Sequence, residues 1–363
     1  MSVKQNTPPI HKSKIGGQAL FEGVMMRSPG KDGKEAMAVR KKDGTIYTEV
    51  KDVPANRWYQ KALFVRGVFN LVLQMKNGYN YLMKSFEVSG FFEESEQEPE
   101  QRVGGSAEAA EAETISIESA PSKSSKKEKK PKKENKAVEA VIGVVGMIAG
   151  VAFGIFLFMF VPTQSFSLIN GLFEEDISSW RSLTEGIIRI ILFVLYMWSV
   201  SLMKEIRITY QYHGAEHKTI AAYEAGEELD PENVDNVMKY TKYHPRCGTS
   251  FLFLVLAISI LIYSVLPINS EILVELSFIP NLFLANILRV AIQILLTPFI
   301  VAVTYEIIKL AGRYDRNIFM RMLSAPGLGL QRLTVFEPSK AQVQVAVAAM
   351  IPVIPENKEE DKW

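Results

Sequence analysis

Residues 284–308 read LANILRVAIQILLTPFIVAVTYEII, interrupted by one arginine, Arg289, and by one glutamate, Glu306, near the C-terminal end. About 20 predominantly apolar residues in a helix span the ~30 Å hydrocarbon core of a bilayer, so this run has length to spare. Three further runs have the same character: 138–161 (VEAVIGVVGMIAGVAFGIFLFMFV), 186–203 (GIIRIILFVLYMWSVSLM) and 251–267 (FLFLVLAISILIYSVLP). Arg189 lies near one end of the second, where its stem can snorkel. Four such runs exceed what a buried core helix of a soluble protein needs. The expected fold class is a mainly α membrane protein with about four transmembrane helices.

Composition agrees with that reading. The chain of 363 residues has 41 Lys and Arg against 40 Asp and Glu, a net charge of +1, yet it is 48% hydrophobic. Its mean hydropathy is +0.07 despite a long charged tract, so the apolar residues are concentrated elsewhere. A near-neutral chain is neither a polyanion binder nor an acidic solvating protein, and no nucleic-acid partner is expected. One cysteine makes no internal disulfide and fits a reducing compartment. The opening MSVKQNTPPIHKSKIGG is polar and lacks the apolar run of a secretory signal, so membrane entry is expected through internal segments.

Basic residues orient the runs. KSSKKEKKPKKENK precedes the first; Lys204, Arg207, Lys218, Lys239, Lys242 and Arg246 fall between the second and third; Lys309, Arg313, Arg316 and Arg321 follow the fourth. The connections 163–185 and 268–283 contain only Arg181. Both termini and the 204–250 segment are therefore expected in the cytoplasm, with the protein in the cell membrane and the lipid bilayer as its first partner.

The remaining organisation follows from local pattern. Residues 1–90 read as a cytosolic N-terminal region in which Lys42-Asp43-Gly44 turns a β-hairpin. The stretch from Arg57 to Phe86, apolar but broken by Arg66 and Lys76, reads as amphipathic helices at the membrane surface or against the spans. Residues 91–136 are glutamate-rich and then lysine-rich, a composition expected to form a disordered linker whose lysines can contact anionic lipid. Residues 137–323 form the expected four-span membrane domain. Residues 324–363 read as a cytosolic tail that breaks at Pro326, Gly327 and Gly329 and then forms one helix through AQVQVAVAAM.

The chemistry-bearing residues cluster. The four histidines are His11, His213, His217 and His244, and the cysteine is Cys247. On a helix, His213 and His217 lie one turn apart on one face with Glu216 beside them. HGAEH matches H-x-x-E-H, in which two imidazoles hold a metal and the glutamate handles a proton of water. The pattern alone is weak; its weight comes from every histidine outside the N-terminal tail, and the only cysteine, falling between positions 213 and 247. The expected site is a divalent metal, zinc foremost, held by His213, His217 and His244 or Cys247, with Glu216 as general base. Glu205 and Glu224 are further candidate contributors. Gln18 and Glu22, in IGGQALFEGVMMRSP, and Glu306 are candidate additions to the same site. Bland alternatives stand beside each: histidines bonded to interface carbonyls, Glu22 paired with Arg27, and Glu306 paired with Lys309. A metal-free reading makes Cys247 a nucleophile with a histidine base.

The segments GGQALFEGVMMRSP, YHGAEHKTI, HPRCGTSF, YEIIK and PGLGLQRLT together resemble the signature segments of the YqhQ-like family of bacterial membrane proteins. The resemblance covers nearly the whole chain except the 91–136 tract, which is long for that family. It implies membrane placement and a predicted metal-dependent enzyme, and it supplies neither substrate nor catalytic assignment. The function expected is thus a metal-dependent enzyme, of hydrolase type, with its site at the cytosolic membrane face. The competing expectation is a non-enzymatic membrane scaffold or chaperone-like binding protein; a transporter ranks last.

Overall fold

The computed structural model describes residues 11–29, 33–54, 57–60, 62–91, 145–146, 148–173, 177–266, 273–274, 282–314, 317–357 and 360–362. The linker expected at 91–136 lies, apart from Phe91, outside them, as does the start of the apolar run expected from residue 138. The chain divides into two units. One gathers the described residues of Met1–Ser119, Trp198–Phe251 and Tyr305–Trp363; the other gathers those of Ala120–Met197 and Leu252–Thr304.

The first unit is built on an antiparallel meander, β1 (Gly16–Leu20), β2 (Gly23–Arg27), β3 (Lys34–Arg40) and β4 (Ile46–Asp52), paired in chain order. The expected hairpin joins β3 to β4. Asp43 accepts from Thr45 N at 2.9 Å and Gly44 takes φ +82°, a left-handed value that glycine adopts without strain. The two preceding strands come from the glycine-rich segment IGGQALFEGVMMRSP; Gly16↔Arg27 to Leu20↔Gly23 is their register.

Alternation gives the sheet two apolar faces. Val24, Met26, Ala36 and Ala38 face one way and pack with α4 (Lys204–Glu224) and α8 (Lys340–Met350). Leu20, Met25, Met37 and Val39 face the other way, against Tyr81 of α1 (Val65–Ser89). Helix α8 is buried nearly all round, with Val343, Val345, Ala346, Val347, Ala349 and Met350 fully covered. Each valine so covered contributes about 1.5–3 kcal/mol. Its N-terminus is closed by a capping box between Ser339 and Gln342, which places Pro338 just before the helix.

Helix α7 (Ile318–Thr334) continues through Pro326, Gly327 and Gly329, where a break was expected. Proline there forfeits one backbone bond, while Gly327 packs directly on Ser250. Close packing against the neighbouring chain outweighs the lost bond.

The second unit contains α2 (Ile148–Asn170), most of α3 (Arg181–Ser201), most of α5 (Gly248–Val265) and α6 (Leu282–Arg313) as far as Thr304. Three helices are long and apolar enough to cross a membrane among the described residues: Ile148–Asn170, Arg181–Ser201 and Phe283–Ala311. The fourth expected run forms α5, whose apolar part, Gly248–Tyr263, is shorter. At 1.5 Å per residue the 18 residues of α5 reach about 27 Å. Helix α2 extends past the expected end at 161 into VPTQSF, after a π-helical turn at Phe156–Phe160. Thr163 donates its hydroxyl to the Met159 carbonyl at 3.0 Å, and the Phe158 carbonyl, four residues before Pro162 and so without that residue's N–H, accepts from Arg189.

Arg189 does not snorkel. Glu185, one turn earlier, receives Arg289 at 2.5 and 2.8 Å, Arg181 at 3.0 Å and Arg189 at 3.1 Å, and all four side chains are buried. Arg189 also donates to the Phe158 carbonyl at 3.0 Å. A fixed carboxylate outcompetes a mobile headgroup when it shares the low-dielectric interior. Removing one member of a buried charge network strands the rest, so Glu185→Ala is expected to cost about 3–5 kcal/mol. Thermal unfolding of the detergent-solubilised protein measures it. Breaking the exposed Lys340–Asp235 pair (2.7 Å) with Asp235→Asn is expected to change nothing measurable.

Candidate metal centre

Every residue of HGAEH has an assigned place in α4. Ala215 is fully buried in the core facing the sheet. Gly214 lies where α4 meets the segment before α8: a Cβ there would sit 2.1 Å from the Phe336 carbonyl oxygen. Phe336 in turn donates its N–H to the Tyr210 carbonyl at 3.0 Å. His213, Glu216 and His217 are the titratable groups of the motif.

The two imidazoles are oriented by backbone carbonyls. His213 Nδ1 lies 3.0 Å from the Thr334 carbonyl oxygen, and His217 Nδ1 lies 2.6 Å from that of Lys242. A carbonyl only accepts, so both Nδ1 atoms carry the proton and both Nε2 atoms present lone pairs. His213 Nε2 lies 3.2 Å from Cys247 Sγ, and the two rings are 4.4 Å apart, centroid to centroid. His213, His217 and Cys247 each place a ligand atom within 4.8 Å of the others, the one such trio among the described residues.

That donor set fits zinc. Bond lengths near 2.0–2.1 Å for nitrogen and 2.3 Å for sulfur put tetrahedral neighbours about 3.3–3.6 Å apart; His213 Nε2 and Cys247 Sγ, at 3.2 Å, lie a few tenths of an ångström closer than that. Two neutral imidazoles and a thiolate suit zinc rather than magnesium or calcium. The carbonyl anchors on both Nδ1 atoms are the kind of outer partner that fixes a ligating tautomer.

The electrostatics favour the ligating forms. Burial, reinforced by His213, pushes His217 down to about 4, so the imidazole is neutral at physiological pH. Burial opposes ionisation of Cys247; a proton on His217 and the Thr249 hydroxyl favour it and hold the thiol below its usual value, and beside a neutral His217 a bound cation would take that proton's place. Cys247 is the last residue before α5, where helix N–H groups favour a thiolate. Burial pushes the Glu216 carboxyl up to about 7, against the opposing pull of His213 and of a hydrogen bond from the Gly17 N–H. Glu216 is therefore poised to exchange a proton near neutrality. Gly17 admits it: a Cβ on β1 there would lie 3.0 Å from the Glu216 carboxyl carbon.

His244 stands beside the trio. Its ring centroid is 5.6 Å from that of His217, and its Nε2 faces Arg246 at 3.2 Å and Glu224 at 3.9 Å. Burial lowers its pKa against the pull of Glu224. Glu224 also accepts from Ser13 N at 2.8 Å and pairs with Arg246. Glu205 is exposed at the start of α4.

The three candidate additions have other partners. Gln18 lies on the α1 face of the sheet, its amide against Gly78, whereas Gly17 and Glu216 are on the α4 face. Glu22, at φ +50° between β1 and β2, accepts from the Tyr212 hydroxyl at 2.9 Å, while Arg27 pairs with Glu35 at 3.0 Å. Glu306 is bound by Arg66 through Nε at 2.8 Å and again through Nη2, rather than by Lys309.

Sequence reading missed the anchors. Thr334 and Lys242 contribute only carbonyls, which no side-chain pattern reveals. Gln331 is fully buried and grips the His244 backbone from both sides, accepting from N at 2.9 Å and donating to O at 2.7 Å. Its one signal was membership of PGLGLQRLT.

The family model described as protein of unknown function (DUF1385) matches residues 63–356. The chain belongs to that family. It is similar to the uncharacterized protein YqhQ of Bacillus subtilis (strain 168), 29% identical over 347 residues that cover 95% of this chain and 92% of that protein. No solved structure matches it. The matched span of the DUF1385 model includes α4, Cys247 and α7, and it begins after the sheet.

Gly214→Ala adds one methyl against a backbone oxygen with no room to yield. The expected cost is about 1–3 kcal/mol, the usual range for overpacking, read as a lowered unfolding midpoint.

Proposed function

We propose that this DUF1385 protein is a multi-pass membrane enzyme with a divalent-metal centre, zinc foremost, at His213, His217 and Cys247, catalysing a metal-assisted hydrolysis. The carrying observation is the convergence of two Nε2 lone pairs and one thiol, with both imidazoles already committed to the ligating tautomer. The three span-length apolar helices, with α5 as a fourth crossing, support the membrane placement, and the flanking lysines and arginines support a cytosolic site.

A bound divalent cation would supply Lewis-acid activation of water or of a carbonyl or phosphoryl oxygen. The chain's own residues do the rest. His213 and His217 hold their rings through Thr334 and Lys242, Cys247 supplies the anionic donor, and Glu216 takes a proton at its carboxylate and returns it to a leaving group. His244, beside Arg246 and Glu224, provides a second polar wall. A metal-free thiol–imidazole dyad would use the 3.2 Å contact of His213 with Cys247. It leaves unexplained why His217 presents a second lone pair to the same place.

Elemental analysis of the purified protein is expected to show one zinc per chain, retained in Glu216→Gln and lost in His213→Ala/His217→Ala. Wild-type protein without stoichiometric metal would sink the proposal. Glu216→Gln is further expected to abolish turnover of any hydrolysed substrate while leaving the unfolding midpoint near that of wild type. Retained turnover would remove Glu216 from the chemistry and favour a scaffold role.

A further inference from the structure

Helix α1 has an apolar face that the fold does not use. One side carries Gly67, Gly78, Tyr81 and Ser85, all buried. The opposite side exposes Val65, Phe69, Val72, Tyr79 and Met83, spaced at helical repeats, with Met75 on its flank. Trp58, 76% exposed, extends the surface through edge-on contact with Tyr59, which leans on Phe69 at 4.8 Å. A contiguous row of large apolar side chains left exposed to water marks a contact surface.

Charge and anchorage identify what covers it. From Arg57 to Met83 the sequence has no Asp or Glu, but it has Arg57, Lys61, Arg66 and Lys76. Lys76 lies within the apolar row, where a long stem lets the ammonium reach a headgroup. The first turn of α1 is tied to the end of α6: Arg66 binds Glu306, and Asn70 Nδ2 donates to the Tyr305 hydroxyl at 3.3 Å. The span-length part of α6 ends at Ala311, little more than a turn beyond Glu306. The apolar row therefore starts at the depth where a membrane-crossing helix leaves the hydrocarbon. We propose that α1 lies in the plane of the bilayer interface, with Phe69, Val72 and Tyr79 among the acyl chains and Lys76 among anionic headgroups. The proposal rests on reading α6 as a membrane span. It makes the sheet a layer whose outer helix floats on lipid, so that part of the stability of the N-terminal region comes from the membrane itself.

Spin labels attached to cysteines introduced singly at Phe69, Val72, Tyr79 and Gln74 of the full chain in phosphatidylcholine–phosphatidylglycerol vesicles test this. Wild-type protein labelled in parallel sets the background from buried Cys247. At 69, 72 and 79 the ratio of oxygen to nickel-chelate collision rates is expected to be several-fold higher than at 74, which lies on the opposite side of the helix. Equal chelate access at all four positions in protein that stays in the vesicles through alkaline extraction overturns the interfacial placement and leaves the membrane reading intact. Spin–spin broadening at 69, 72 and 79 without raised oxygen access overturns it in favour of a second copy on the same face. Release of the whole chain by alkaline extraction overturns both.

Discussion

A carbonyl oxygen accepts hydrogen bonds and never donates them, and the centre of this protein is organised by two of them. Thr334 and Lys242 oblige His213 and His217 to carry their protons on Nδ1. Everything around the pair serves that arrangement. Gln331 seals the backbone at His244, Lys218 donates to the carbonyls of Met238 and Tyr240 at 2.8 and 2.9 Å, and Gly214 allows the chain before α8 to lie close enough for its neighbours to reach the rings. Burial also penalises a protonated His217, so at that ring the two effects push in one direction.

The surrounding layers explain why so small a sheet is needed. With α4 and α8 on one face and α1 on the other, four short strands present Gly17 to Glu216 without a side chain in between. The sheet thus supplies a backbone N–H to a buried carboxylate, a group that would otherwise lose hydration without compensation. The second unit solves a related difficulty by other means: three arginines share the carboxylate of Glu185 in an otherwise apolar set of helices.

Periodicity and hydrophobic length carried much of the architecture. The apolar runs, the Asp43-Gly44 hairpin and the helix through AQVQVAVAAM are local patterns, and local patterns survive in a sequence. HGAEH was legible because histidines four apart on a helix share a face whatever lies around them. Cys247 was recognisable by exclusivity, but that it, and not His244, groups with His213 and His217 was not, since that depends on where the chain turns at Pro245. Three kinds of feature escaped. Carbonyl anchors have no residue signature. Gln18 and Gly17 are adjacent yet face opposite ways, which only strand pairing decides. Glu306 found Arg66 across 240 positions, although Lys309 was nearer in sequence, because α1 returns to the end of α6.

The Thr334 carbonyl also sets an order of assembly. Synthesis delivers α4 first, then Cys247, and only after α6 has been made does the segment that steadies His213 emerge. During that interval His213 is free to choose either tautomer, and a growing chain exposes a thiol and two imidazoles that are not yet held. The centre is therefore finished late, by residues that contribute no ligand, and a chain interrupted between α6 and α7 would contain His213, His217 and Cys247 without the anchor that presents His213.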